Sequence, residues 1–510
     1  MNLFQKISET QLIKLLTCVS FLLAFWMMFK LHGGIDEDGV LYLEAAKRIA
    51  QGSFDQAQQL YNWPLFPWLI AKVSSLSGSS LYHAALFLEM LFFSMATYSL
   101  LTLILEAGGN KITVLIAAIL LFSAQYLVGH ALTWIMRDQG FWAFYLSGLL
   151  FFIRFYRSGK MKDALFWQIS AFIAVFFRIE AVSLLIILPF IIFFITTLDL
   201  QQRLHMFLKA NVLSLLWLVG YVCSLLFFEE KITSFGRLSE LTQYLAASYH
   251  QITSGIQAKS QAFAAVALNP TNDEYAIYGV LFSMLAIVVG NIISASGALT
   301  AILAFLPYPL KNTSIKTDSQ TVLTWTGWIN LINIIGILLT TSLLVGRYAA
   351  GLAFILIIFA AFKTEAALIQ NKRSIFVAPW QKYIALFFMA FFIGKGLYKN
   401  FRPEDAENNY RLAAVQWMSS NVTPEATVFY GDARLRYYAN APWSGREQDW
   451  TKSIPAIQNK EKPYDYLVLV IKKKQKNSQL EILKQLTNYQ AVKEIHNQGE
   501  TYVIILKRKE

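Results

Sequence analysis

Long apolar runs separated by short polar breaks set the pattern of this chain. Runs near residues 15–31, 81–105, 112–130, 139–156, 164–177, 181–198, 210–228, 276–306, 322–345, 348–363 and 380–398 are each predicted to cross a membrane. A bilayer core takes about 20 apolar residues per helix, fewer where the span is short or partial. The run 276–306 is long enough for one tilted helix or two short ones, and two would reverse the side on which the tail lies.

Between the first two runs the pattern changes. DGVLYLEAAKRIAQG places apolar residues at 41, 42, 45, 46 and 49, a helical stripe that Gly52 ends. PLFPWLIAKVSSLSG reads as a second short helix, and both are expected to lie along the interface as amphipathic helices. The loop 229–275 is polar and helix-prone. After 400, strand-like runs stand at 426–430, 465–471 and 501–506, with helical patterns at 406–420 and 478–487, which predicts a small α/β domain. The fold class is therefore mainly α: a polytopic membrane protein of about eleven transmembrane helices, with interfacial helices in the first outer loop. Residues 1–399 form the transmembrane domain, with outer loops 32–80 and 229–275, and residues 400–510 the α/β domain.

Composition agrees. Hydrophobic residues make up 56% of the 510 and charged residues only 15%, against about 25% charged in soluble domains. Cys18 and Cys223 both lie inside apolar runs and read as small hydrophobes. The net charge of +12 does not point to nucleic acid, because the basic residues are scattered over loops and tail. They fit lipid headgroups and membrane topology instead. The first run lacks a small-residue cleavage site and reads as a retained anchor.

Basic residues such as Lys6, Lys14, Lys111, Arg154, Arg157, Lys160, Lys311, Lys372 and Arg373 place their segments in the cytoplasm. The two long loops and the tail then lie outside, since a long domain crosses largely regardless of its charge. The bias toward Lys, Ile and Gln fits a bacterial cytoplasmic (inner) membrane.

Charge is costly near lipid, so its placement is informative. Asp36, Glu37 and Asp38 follow span one. Arg137 and Asp138 begin span four, Arg178 and Glu180 sit between spans five and six, and Arg347 and Tyr348 open span ten. Under this topology all four groups meet one outer face, with carboxylates for proton chemistry and arginines for phosphate. Taken singly each has a plain structural reading: a helix cap for Asp36 or Asp38, a helix-end pair for Arg137–Asp138, a buried ion pair for Arg178–Glu180, and interfacial snorkelling for Arg347. The six histidines are dispersed and show no metal-ligand spacing; with several acids present, metal dependence stays open.

With acids after span one, interfacial helices and many spans, residues 10–400 resemble the GT-C superfamily of membrane glycosyltransferases that use polyprenyl-phosphate sugars. These include protein mannosyltransferases and aminoarabinose transferases. Asp38 to Ala46, DGVLYLEAA, resembles the family's Asp followed four positions on by Tyr, here Tyr42, with Gly39 where a Glu is usual. Asp36–Glu37 matches the D-E pair but puts Tyr42 six residues on, so either aspartate is a candidate base, Asp38 preferred. Arg137–Asp138, FFRIEA and GRYAAGLAF are similar to the family's acidic, basic and R-Y positions. The Pro usual after R-Y is missing. The resemblance implies transfer of a sugar, with inversion, from a polyprenyl-phosphate donor to a glycolipid, polysaccharide or protein. Asp38 or Asp36 would be the base, and Asp138 would assist. Arg178, Arg347, Tyr348 and Arg137 would face the lipid phosphate, supported by Glu37, Tyr42 and Glu180. Two other classes compete: a transporter or flippase, which predicts ionisable residues at mid-membrane, and a scaffold, which needs none of these acids.

Overall fold

The computed structural model describes residues 6–31, 33–227, 248–306, 310, 313–368, 379–402, 409–445, 450–458, 463–497 and 501–509. Lys311, Lys372, Arg373 and the first part of the loop 229–275 lie outside them. Two compact units emerge, one of Met1–Met27 with Leu86–Arg402, the other of Met28–Ala85 with Pro403–Glu510. The first outer loop, grouped by sequence with the transmembrane part, thus packs with the C-terminal residues.

In the first unit a helix stands at every predicted span. They are α1 (Glu9–Phe29), then, after three helices of the other unit, α5 (Leu81–Glu106), α6 (Lys111–Ser123), α7 (Asp138–Ser158), α8 (Met161–Phe177) and α9 (Ala181–Ile187). There follow α10 (Leu200–Ala210), α11 (Val212–Phe227), α12 (Ile256–Ala267), α13 (Ala276–Ser296) and α14 (Ala298–Ala304). The last three are α15 (Thr317–Thr341), α16 (Gly346–Leu368) and α17 (Pro379–Phe401).

Among the described residues six helices are long and apolar enough to cross a bilayer, or up to eight if each of two bent pairs is one span. The chain is an integral membrane protein. The sequence count of about eleven also took in α7, α8 and α9. Of these α7 carries charge at both ends, α8 has 17 residues, and α9 has seven before it tightens into the 3-10 turn Leu188–Phe194. The run 276–306 is one long helix broken at Gly297. The seven residues of α14 that follow reach about 10 Å, too short for a second crossing.

The helix breaks are repaired by side chains. Where α10 bends 67° into α11, the buried Gln168 amide oxygen accepts from the Leu213 N–H at 2.6 Å. The Asn330 amide on α15 donates to the Tyr145 hydroxyl of α7 at 3.0 Å, and that hydroxyl donates to the Gly351 carbonyl of α16 at 3.3 Å. Such buried polar bonds fix helix rotation where lipid offers no competing partner.

The second unit joins α2 (Glu37–Ala50), α3 (Phe54–Leu60) and α4 (Leu65–Ser77) to a four-stranded sheet. Leu41, Tyr42, Ala45 and Ala46 are buried as the stripe predicted, and Gly52 takes the positive φ of 82° that ends the turn after α2. The C-terminal elements are α18 (Tyr410–Asn421), β1 (Val428–Tyr430), α19 (Ala433–Tyr438), α20 (Ile454–Gln458), β2 (Tyr466–Ile471), α21 (Lys476–Leu483), β3 (Tyr489–His496) and β4 (Tyr502–Arg508). The strand order is β1-β2-β4-β3, with β1 parallel to β2 and the other pairs antiparallel. β2 and β4 bury both faces: Leu467, Leu469, Ile504 and Leu506 pack with Trp450 and Ile457. Val468, Val470, Val503 and Ile505 pack with Ala414, Met418 and Leu435. That double burial is why these strands read as continuous apolar runs. β3 escaped the reading because four of its eight residues are Gln, Lys, Glu and His on a largely exposed edge strand.

Candidate functional site

The first unit builds one buried ionic group. After α6 the chain bends by 53° through the π-turn Gln125–His130 and the 3-10 turn Ala131–Thr133. It re-enters as α7 at Asp138. Two side chains hold this re-entry. The Gln139 amide donates to the Ala131 carbonyl at 2.7 Å, and Glu89 of α5, wholly buried, accepts from the Met136 N–H at 3.0 Å. Asp138 then sits in the first turn of α7, where the helix dipole favours an anion.

Arg178, at the end of α8, forms an ion pair through Nη1 with the Asp138 carboxylate. Its Nη2 and Nε reach the two oxygens of Glu180 at 2.8 and 3.3 Å. Asp138 and Arg178 are 2% and 3% exposed, so each is the other's compensation in a poorly solvated place. The Arg178 guanidinium lies 4.8 Å from the Tyr348 ring centre, and that of Arg347 5.5 Å from the same ring. Asn333 of α15 ties α9 in place, donating to Ser183 Oγ at 2.6 Å and to the Glu180 carbonyl at 3.3 Å. Arg178, Glu180, Asn333, Arg347 and Tyr348 line one narrow cleft of about 20 Å³, and the Arg137 charge also acts on Glu180.

The structure thus gathers the residues predicted from spans four, five, six and ten. Three of the five N–H groups of Arg178 are taken by carboxylates, so an incoming anion would have to displace them. Arg178 is first of all the post on which Asp138 and Glu180 are fixed.

The second unit holds the acidic turn. Asp36 is the N-cap of α2, its carboxylate accepting from the Gly39 N–H at 3.2 Å. Asp38 follows in the first helical turn, half-buried, and is not the cap. Glu37 pairs with Arg434 at 3.2 Å. Arg434 also reaches Asp432 at 3.4 Å, and Asp432 pairs with Arg411 at 3.2 Å. One turn beyond Arg434 on α19, the Tyr438 hydroxyl accepts from the Ile35 N–H at 3.0 Å, while the Tyr82 hydroxyl donates to the Gly34 carbonyl at 3.1 Å. Four residues in a row, 34 to 37, are therefore held from outside or capped. Tyr42, a predicted supporting residue, is a buried ring, edge-on to Tyr61 at 5.2 Å and to Phe66 at 5.4 Å.

Sequence reading missed Glu89, whose signal was an acid in the interior of a mainly apolar 26-residue helix. It also missed Asp432, Arg434 and Tyr438, whose signal was the dense GDARLRYY. Among the described residues no three His, Cys, Asp or Glu side chains gather as a metal site, and Cys18 and Cys223 are free thiols.

No family model matches the sequence, and no curated protein does. Among solved structures, the chain is similar to proteins holding long-chain lipid phosphates. One is ArnT from Cupriavidus metallidurans bound to undecaprenyl phosphate, at 12% identity and a TM-score of 0.40, with 97% of each chain covered. ArnT from the same organism in the apo state gives 13% identity and 0.38, over 97% of this chain and 98% of that one. The archaeal oligosaccharyltransferase AglB from Archaeoglobus fulgidus, in complex with an inhibitory peptide and a dolichol-phosphate, gives 14% and 0.36, over 76% of this chain and 52% of that one.

Proposed function

We propose that this chain is a membrane glycosyltransferase, moving a sugar from a polyprenyl-phosphate donor to a glycolipid, polysaccharide or protein acceptor on the extracytoplasmic face. The observation that supports it best is the cleft where Arg347 and Tyr348 stand beside the Asp138–Arg178–Glu180 group. Asp138, Arg178, Glu180 and Arg347 all sit at helix ends, where a lipid headgroup is reached.

In the reaction so assigned, an acceptor hydroxyl oxygen bonds to the anomeric carbon as the bond from that carbon to the phosphate oxygen breaks. The electron pair leaves with the phosphate, and one direct displacement inverts the anomeric centre. Asp38 takes the hydroxyl proton. It is preferred to Asp36 because Tyr42 follows it at four positions, the spacing on which the resemblance rests. Arg347 stabilises the charge developing on the phosphate. Arg137 assists it, Tyr348 packs against both arginines, and Asp138 and Glu180 hold Arg178.

The test is sugar transfer by purified protein in nanodiscs, given a panel of polyprenyl-phosphate sugars. Asp38→Asn is expected to lose about a hundredfold or more in rate, the range of general-base catalysis, with donor binding kept. Arg347→Ala is expected to weaken donor binding. Full transfer by Asp38→Asn and by the Asp36→Asn/Asp38→Asn double variant would remove the base assignment. Absence of both transfer and donor binding across the panel would remove the transferase reading.

A further inference from the structure

In the second unit α2 and α19 flank a second cleft, of about 340 Å³. Three aromatic rings, Tyr82, Tyr437 and Trp443, line it together with Glu44, Lys47 and Asn440. No step assigned above uses it. We propose that it is a saccharide-binding site which seats a sugar unit of the acceptor; as an acceptor subsite it rests on the transferase reading, while saccharide binding does not.

The chemistry of the lining argues for the ligand class. A pyranose has flat C–H faces and a rim of hydroxyls, each both donor and acceptor. Aromatic rings match the faces, and a few placed polar groups match the rim. Glu44 accepts, Lys47 donates, and the Asn440 amide does both. An acyl chain would leave these polar groups unsatisfied. A polyanion would need several cations, but the buried Arg436 at this cleft is committed to the Tyr430 and Gly445 carbonyls at 2.9 and 2.7 Å. Glu44 shares its charge with Arg48, 3.4 Å away, and among the described residues Lys47 is the exposed cation of the lining.

The wall is built before any ligand arrives. The two Arg436 bonds pin both ends of the segment 430–445, which carries Tyr437, Asn440 and Trp443. The Ala441 N–H closes the turn after α19 on the Arg436 carbonyl at 2.9 Å. Tyr82 belongs to the lining and also holds the Gly34 carbonyl. The cleft therefore borders the turn that carries Asp36 and Asp38, and a sugar seated there lies along the helix that bears the proposed base.

The experiment is saturation-transfer NMR on full-length protein in nanodiscs. The probes are di- and trisaccharides of glucose, galactose, N-acetylglucosamine and a uronate, with tripeptides as comparison. At least one saccharide is expected to bind, with saturation strongest on its ring C–H protons. Trp443→Ala and Tyr437→Ala should each weaken it about tenfold, the scale of one lost aromatic contact. Trp443→Phe, which keeps a ring, should retain most binding and guards against simple misfolding. Wild-type protein that binds no saccharide, or binds tripeptides alone, overturns the proposal. So does saccharide binding that neither alanine variant weakens. Sugar transfer that persists while the cleft fails these tests sinks only the cleft. Saccharide binding through Trp443, with neither transfer nor donor binding across the panel, removes the transferase reading and the acceptor role with it, and leaves the saccharide site standing.

Discussion

Arg178 and Arg347 stand in the same cleft, yet their neighbours give them different work. Removing one partner of a buried ion pair strands the other, at about 3–5 kcal/mol. Asp138→Asn and Arg178→Ala are therefore expected to lower the thermal midpoint of the detergent-solubilised protein steeply. Arg347→Ala is expected to weaken donor binding, read by titration with a polyprenyl phosphate. Unchanged midpoints in Asp138→Asn and Arg178→Ala would contradict the pairing. In the second unit, the Glu37–Arg434 pair is reciprocal and only partly exposed, so a charge swap tests it. Glu37→Arg should cost about 1 kcal/mol or somewhat more in stability, and adding Arg434→Glu should restore part of it. No restoration would mean that the pair contributes nothing. Asp432 adds a pH dependence. Burial alone would raise its pKa, but the Arg411 and Arg434 guanidinium groups outweigh burial and hold it below the ordinary aspartate value of 3.8. A carboxyl depressed in the folded state contributes stability that is complete above its unfolded pKa and fades as pH falls through its folded one. Acid unfolding of the protein should accordingly begin below about pH 4, and Asp432→Asn should flatten that limb of the curve.

At the scale of elements, α7 and α8 form a close antiparallel pair. A methyl group at Gly140 would run into the Phe177 ring, whereas at Gly148 it would rest against Trp167 at 3.4 Å. Gly140→Ala should therefore destabilise by about 1–3 kcal/mol, the usual cost of overpacking, and Gly148→Ala much less. Thermal midpoints of the two variants decide the matter. Helix positions were largely legible in the sequence because apolar length and period are properties of single segments. The charged groups were legible too, because ionisable residues are rare enough there to be noticed. What sequence could not show is which charge answers which. That Arg178 takes two carboxylates, that Tyr42 faces Tyr61 and Phe66, and that Arg434 meets Glu37 are facts of packing between segments distant along the chain. Helix breaks were hidden for a related reason: the π-turn after Ser123 and the bend at Asn211 interrupt runs whose composition stays apolar throughout.

For the whole molecule, long helices such as Tyr383–Phe401 and Pro270–Ser296, with 6% and 17% of their apolar windows buried within the protein, leave broad faces for lipid. The topology read from charge predicts that a reporter fused after Glu510 is active outside the cytoplasm, and cytoplasmic activity would reverse every side assignment made here. One contact then bears on how the chain is made. Ile35 and Glu37 meet partners 403 and 397 residues later in the chain. At about 5–20 residues per second, a ribosome needs roughly 20–80 s to supply them. Through that interval the acidic turn emerges without Tyr438 and Arg434, so its full set of contacts forms only once residues 434 and 438 have been made. A chain stopped before Ala433 should still enter the membrane but transfer no sugar, a safeguard against activity from unfinished copies.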